Sequence, residues 1–308
     1  MSLTNFPEFW EKRVEYNLTQ ADKAPWLEGV EELDMDVTVL GAGTETEKNI
    51  IYIPTTDFEP EVLINNTTYP LDAVEYSDGT VQITLDKYQP KVVTLADDQV
   101  MGASYNKIDA ATRTTTTAIT KKKYGKAIHA IAPAGNSVNT PVLKTTGAAI
   151  GTRKRFTYND LVALKDKFDA LEIDAEGRRL VLCTDHWNDL LLDRERFGDN
   201  FSNYRTGNLS PMVAGFELYQ YVNNPFYTVS TLAKKAYGTA PNNTTDTRAS
   251  VAFYVPNIAK KTGKTKQYFV AAAQNPRNQS NELGYRHYFV AMPKRAKYIG
   301  AIISDLTA

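Results

Sequence analysis

The sequence predicts an α+β fold with a projecting element, and three observations carry that expectation. A proline-free stretch from Thr94 to Ala132 has helical periodicity over an unusual length. Before it lie short β-branched runs and an Asp78-Gly79 dipeptide of the kind that closes a two-residue hairpin. After it come alternating helix and strand patterns. An extended β region, a lone long helix and a mixed α/β region therefore follow one another.

Residues 1–36 read as an arm. Pro7 to Tyr16 is a short helix candidate with Phe6, Phe9, Trp10, Val14 and Leu18 on one stripe. The acidic segment ADKAPWLEGVEELDMD follows, and its Trp26 argues for docking rather than disorder.

Residues 37–93 read as strands: Val37–Leu40, Ile50–Ile53 and the shorter run Glu61 to Ile64. With a turn at Asp78-Gly79, Tyr76 faces Val81 and Val74 faces Ile83, so turn chemistry and alternation agree on one hairpin from Val74 to Leu85. A lone hairpin is marginal in water and needs a neighbour on its apolar face.

In the long helix, Val100, Met101, Tyr105, Ile108, Ala111, Ile119, Ala127, Ile128 and Ile131 recur at three- and four-residue steps. Thr94 or Asp97 serves as its cap, and the whole stretch would run about 55 Å. Thr112 and Thr114 to Thr117 crowd its middle. Each costs about 0.5 kcal/mol against alanine, and their hydroxyls can bond back one turn and bend the helix.

Residues 133–155 read as a loop, and a second helix opens at Thr157 with Asp160 in capping-box position. Arg179 to Thr184 is a buried strand, Asp185 to Leu192 a short helix, and Val213 to Val222 a mid-sheet strand. Asn223 to Asn243 is irregular, and four more strands are expected at 250–255, 268–273, 287–292 and 298–303.

Composition sets limits on function. Net charge is −1, which predicts no general affinity for nucleic acid or anionic membrane. The one cysteine, Cys183, allows no intrachain disulfide and no cysteine-based zinc site. No apolar run reaches membrane-spanning length, and Glu8 and Glu11 stand where a signal peptide needs an apolar core.

Val37 to Gly43 looks like the opening of a dinucleotide-binding turn, but Thr46 stands at the third glycine position and a strand, not a helix, follows. Cys183, Asp185 and His186 bring a thiol, a carboxylate and an imidazole to one strand-to-helix junction. Cys183 continues an apolar strand, so an inert thiol is the expectation, with Asp185 as helix cap. His129 and His287 have no ligand-spaced companions, and Asp97-Asp98 and Glu31-Glu32 fit capping or solvation. The reading assigns no catalytic, cofactor or metal residue. The basic runs Lys121–Lys123 with Lys126, and Arg153 to Arg155, are candidate phosphate-facing patches of a nonspecific kind.

Taken together, the chain resembles the major capsid proteins of tailed bacteriophages, with the Hong Kong ninety-seven capsid fold. Tyr69 to Leu95 resembles that family's E-loop running into its spine helix. Gly177 to Leu182 followed by Asp189-Leu190-Leu191, and then Gly215 to Tyr219, resemble strands and a helix of its A-domain. Tyr288 to Ala291 and Lys297 to Ile302 resemble its closing strands. The resemblance implies an N-terminal arm (1–36), an E-loop region (37–93), a P-domain with the spine helix (94–155 with 285–308) and an A-domain (156–284). It implies a structural, non-enzymatic subunit without cofactor that assembles into pentamers and hexamers of a shell around double-stranded DNA. The implied location is the virion, after assembly in the host cytoplasm with a separate scaffolding protein and a portal. Lys87 and Lys91 lie near the hairpin, where some members crosslink, but no partner motif aligns. A cellular encapsulating shell shares the fold, and an enzyme with an unfamiliar site is the rival from another class.

Overall fold

The computed structural model describes residues 24–33, 50–55, 60–67, 69–71, 73–76, 78–101, 107–193, 202–203, 208–209 and 212–307. The expected helix at Pro7 to Tyr16, the strand at Val37–Leu40 and the Gly41–Gly43 turn lie outside them.

The central sheet has eight strands. Arg178–Leu182 lies between Phe216–Gln220, to which it is parallel, and Asp246–Tyr254, to which it is antiparallel. Asp246–Tyr254 also pairs with Ile299–Ile303, which joins Val142–Lys144 in parallel. Successive side chains enter opposite cores, as a strand's period of two requires. Val181, Val251, Phe253, Ala301 and Ile303 pack with Tyr124, Ile128 and Ile131 of the long helix. Leu180, Leu182, Ala252 and Ile302 pack with Leu161, Leu164 and Phe168 of the helix Tyr158–Asp169 and with Leu190 of the helix Thr184–Leu192. Covered on both faces, these strands read as near-continuous apolar runs. The capping box forms as expected, with the Thr157 amide donating to Asp160 Oδ2 at 2.9 Å.

A second sheet of five strands is built on a long hairpin, Ile258–Val270 with Ser280–Pro293. Glu31–Glu32, Asp86–Tyr88 and Val93–Ala96 add to it. The sequence shows only fragments of this hairpin because Lys260, Lys261, Lys264 and Lys266 make its first strand look polar. The register shifts between Thr262 and Thr265, and a Cβ on Gly263 would meet Tyr288 Cβ at 2.7 Å. Only glycine fits that bulge.

The long helix is Lys107–Ile131, about 37 Å by rise per residue. Helical structure begins no earlier than Asp97. Val93–Ala96, β-prone and beside an open strand edge, pairs with Ser280 to Leu283, so Thr94 is no cap. Asp97–Met101 is helical as well. Its apolar stripe is also less apolar than a single-faced helix would need. Thr112, Thr115, Thr116 and Thr120 are buried beside Ile119. Thr112, Thr116 and Thr120 donate to the carbonyls of Ile108, Thr112 and Thr116 at 2.8, 2.7 and 3.0 Å. Thr114 and Thr117 bond back in the same way but are exposed.

Three other expectations are corrected. Gly79–Thr84 pairs with Ile50–Thr55, with Val81 opposite Ile53, so residues 74–76 are not its partner strand. The Ile50–Thr55 strand offers six aligned partners, more than the short segment before the turn could. Glu61 to Ile64 is an exposed loop, since no strand edge lies beside it among the described residues. The loop at 133–155 contains three short strands, Val142–Lys144, Ala149–Ile150 and Arg153–Lys154. The strand Ser280–Pro293 runs unbroken through residues 284 and 285.

The docked arm is as Trp26 suggests. Its ring is fully buried among Tyr124, Tyr221 and Phe253, at centroid distances of 6.5, 5.6 and 6.5 Å. Arg179 donates to the Trp26 carbonyl at 3.1 Å, and Lys260 to the Leu27 carbonyl at 3.1 Å. Glu31 pairs with Lys294, and Glu32 accepts from the Thr262 amide at 3.1 Å, so this exposed pair of carboxylates also ties down a sheet edge.

Urea unfolding checks the packing. Leu180→Ala should lower stability by about 2–5 kcal/mol. Thr114→Ala and Thr117→Ala should each raise it by about 0.5 kcal/mol, and Thr116→Ala should lower it by about 1 kcal/mol through the lost buried methyl.

Candidate functional site

The thiol and imidazole that stand together in the sequence are sealed inside the fold. Cys183 and His186 are both 0 % exposed. His186 lies at the first turn of the helix Thr184–Leu192, stacked on Phe156 at 4.9 Å. Its Nδ1 is 2.7 Å from Ser250 Oγ and its Nε2 is 2.9 Å from Ser304 Oγ. Both serines are far away in sequence, so no local spacing could announce them. Burial pulls the His186 imidazole down to about 3 and pushes the Cys183 thiol up to about 11. A thiol that stays protonated is no nucleophile. The backbone N-cap of this helix is Cys183, and Asp185 sits in the first turn instead of capping it.

The basic runs are largely spent on holding the fold. Arg153 grips Asp189 with two hydrogen bonds, at 2.6 and 3.0 Å, and the Phe156 amide also donates to Asp189 at 2.9 Å. Lys154 pairs with Asp305 at 2.8 Å, and Lys126 with Asp86 at 2.6 Å. Lys123 is buried, its ammonium 4.7 Å from the ring centroids of both Tyr124 and Phe289. Of the two runs, the exposed cations are Lys121 and Lys122. Arg153 and Lys154 therefore act as a structural clip.

His129 contacts the Lys235 carbonyl through Nε2 at 2.7 Å, and His287 contacts Thr265 Oγ1 through Nδ1 at 2.9 Å. Among the described residues, no group of three or more His, Cys, Asp or Glu side chains could hold a metal ion. None of the helices is long and apolar enough to cross a membrane, among the described residues.

The surface that stands out lies on the excursion between the strands Ile50–Thr55 and Gly79–Thr84. Its root is anchored. Ile83 and Leu85 are buried against Tyr288 and Val290 of the long hairpin. Its outer part is apolar and uncovered. Val62, Leu63, Ile64, Tyr69, Leu71, Val74 and Tyr76 are each more than half exposed, Ile64 at 85 %. Scattered exposed apolar residues are ordinary, but a run of them in one segment marks an interaction surface. Each such side chain is worth about 1.5–3 kcal/mol when fully covered. The Val62-Leu63-Ile64 run reads as a strand in the sequence. Its significance as bare surface becomes visible only when the fold leaves it unpaired.

The comparisons with known proteins point the same way. A family model described as phage capsid protein matches residues 78–304, well over half of the chain. No curated protein sequence matches. The capsid of the cyanophage P-SCSP1u superposes with a TM-score of 0.60 at 14 % identity, covering 82 % of this chain and 83 % of that one. The bacteriophage PhiM1 mature capsid gives 0.59 at 12 % identity, covering 84 % and 82 %. The capsid of an empty GTA particle gives 0.63 at 8 % identity, covering 90 % and 88 %. At these identities the structural likeness establishes a shared fold.

The buried imidazoles make stability depend on pH. Burial holds His186 near 3 and His287 near 4, both below the ordinary 6.5 of an unfolded histidine. The folded state thus favours the neutral ring. That contribution is complete above pH 6.5 and is lost progressively as pH falls towards these values. The unfolding free energy should decline as pH falls from 6.5 to 4, and His186→Gln, though less stable at neutral pH, should show a shallower decline. Urea titrations at a series of pH values check this.

Proposed function

Because the chain belongs to the phage capsid protein family and is a structural subunit of a capsid shell, we propose that its copies close as pentamers and hexamers into the icosahedral head of a tailed phage, around double-stranded DNA. The observation that carries this reading is the apolar excursion with a buried root and a bare outer part. A segment held at one end and uncovered at the other suits a subunit that finishes burying its apolar surface against a neighbour. The excursion lies across the adjacent copy, and covering its side chains supplies binding free energy that offsets the cost of association.

The domain division follows the sheets. We assign the arm to residues 1–36 and the hairpin region to 37–93. The peripheral domain takes the long helix together with the long-hairpin sheet, and the axial domain takes the central sheet. The expected boundary at residue 285 thus moves to the turn after Tyr254. Assembly takes place in the host cytoplasm, with a separate scaffolding protein and a portal. The subunit performs no catalysis and uses no cofactor, a reading supported by the sealing of Cys183 and His186. Contact with packaged DNA is weak and nonspecific, and falls to Lys121 and Lys122 now that Arg153 and Lys154 are paired.

The test is the double variant Val62→Asp/Ile64→Asp. Both side chains are exposed, so the subunit should fold with unchanged circular dichroism and melting temperature. Shell formation, with scaffold supplied, should fall at least tenfold by sedimentation and electron microscopy. Normal shells from this variant would refute the role given to the excursion.

A further inference from the structure

A cleft of about 330 Å³ opens between the long helix and the segment 223–239. Lys121 and Lys122 line it from the helix, and Lys235 and Arg248 line it from the other side. Lys235 is held by Asp246 at 2.5 Å. Arg248 donates to the Val222 carbonyl at 2.9 Å, an interaction that leaves its charge uncompensated. Neither Lys121 nor Lys122 has an ion-pair partner among the described residues. Three cationic side chains thus line one concave surface to which no carboxylate among the described residues contributes.

Two further observations point to an occupant. Asn224 lines the cleft and is only 3 % exposed, with its Nδ2 donating to the Val181 carbonyl at 3.0 Å. Its Oδ1 has no hydrogen-bond partner. A buried acceptor left in that state is costly and calls for a donor. Gly125 forms part of the cleft wall from inside the long helix, where glycine is the least favourable residue after proline. A Cβ there would stand 3.6 Å from Tyr237 Oη and 3.8 Å from Asn223 Cβ, ordinary contact distances. Packing within the chain therefore does not require this glycine, and its missing methyl keeps the cleft open.

We infer that this cleft binds a phosphate group, with Lys121, Lys122 and Arg248 supplying the charge. Phosphate suits it better than a carboxylate because several cations surround one small volume, matching the multiple charges and oxygens of a phosphate. The exposed ring of Tyr237, 43 % accessible at the rim, offers a face on which a base could stack. The inference does not rest on shell assembly, since every group belongs to one subunit.

The experiment is calorimetric titration of the full-length dissociated subunit with inorganic pyrophosphate, a short oligothymidylate and an oligoglutamate peptide. Pyrophosphate should bind at one site per chain. Lys121→Ala/Lys122→Ala should weaken binding at least tenfold. Gly125→Ala should weaken it several-fold without lowering the melting temperature, which separates a filled cleft from a damaged fold. If oligothymidylate competes with pyrophosphate, the phosphate belongs to a nucleic-acid chain; if it does not, the ligand is a free phosphate compound. Absence of pyrophosphate binding, indifference to both variants, or tighter binding of oligoglutamate would overturn the assignment.

Discussion

One helix has to satisfy two sheets at once, and most of the subunit depends on how it does so. The C-terminal half of Lys107–Ile131 brings Tyr124, Ala127, Ile128 and Ile131 into the core of the central sheet. Its preceding turns meet the long hairpin through Ile119, Leu283 and Tyr285, and Tyr285 donates its hydroxyl to Thr112. A helix shared in this way has no single apolar face. Threonine suits the shared stretch because its methyl packs while its hydroxyl is satisfied by the carbonyl one turn back. Buried polar groups without a partner would be far more costly there. At the end of this helix the ammonium of Lys234, from the strand Ala233–Lys234, caps the carbonyls of His129 and Ala132 at 2.8 and 2.5 Å. Burial draws that lysine down to about 8.

The central sheet was legible in the sequence because its strands are covered on both faces. Leu180, Val181 and Leu182 make an apolar run that nothing but a buried strand explains, and the Thr157/Asp160 pair marks a helix start by local chemistry alone. The long hairpin was not legible at full length. Its lysine-rich strand has one exposed face, and its pairing is decided by Ser280–Pro293, well beyond any local window. The choice of partner for Gly79–Thr84 is of the same kind. Asp78-Gly79 satisfies a tight turn locally, yet Ile50–Thr55 is the longer and better-matched partner. The basic runs misled for a related reason. A sequence shows Arg153 and Lys154 but not Asp189 and Asp305, which neutralise them across the fold. Site chemistry was best read where it was negative: Cys183 continues an apolar strand, and the fold buries it.

The subunit separates two kinds of apolar surface. Trp26, Phe168, Phe216 and Phe253 are committed to the chain's own cores, which stand closed without help. Val62, Leu63, Ile64, Tyr69, Leu71 and Val74 lie outside those cores and are exposed. A fold organised in this way can be stable as a single chain and still hold apolar area in reserve for contact between chains. The paired charges of Arg179 with Glu217 join neighbouring strands of the central sheet, and those of Arg153 with Asp189 tie a short strand to the helix Thr184–Leu192, without drawing on that reserve.

The position of Ile299–Ile303 has a consequence for how the protein is made. This strand is the only link, among the described residues, between Val142–Lys144 and the rest of the central sheet. A ribosome releases residue 142 long before residue 299. Until the later residues emerge, the earlier strand has no edge to join and one flank of Asp246–Tyr254 stays open. The sheet is therefore completed only near the end of translation, by contacts of long sequence separation, which form slowly. During that interval a nascent chain exposes an unpaired, strongly apolar strand edge, the state in which chaperone binding matters most.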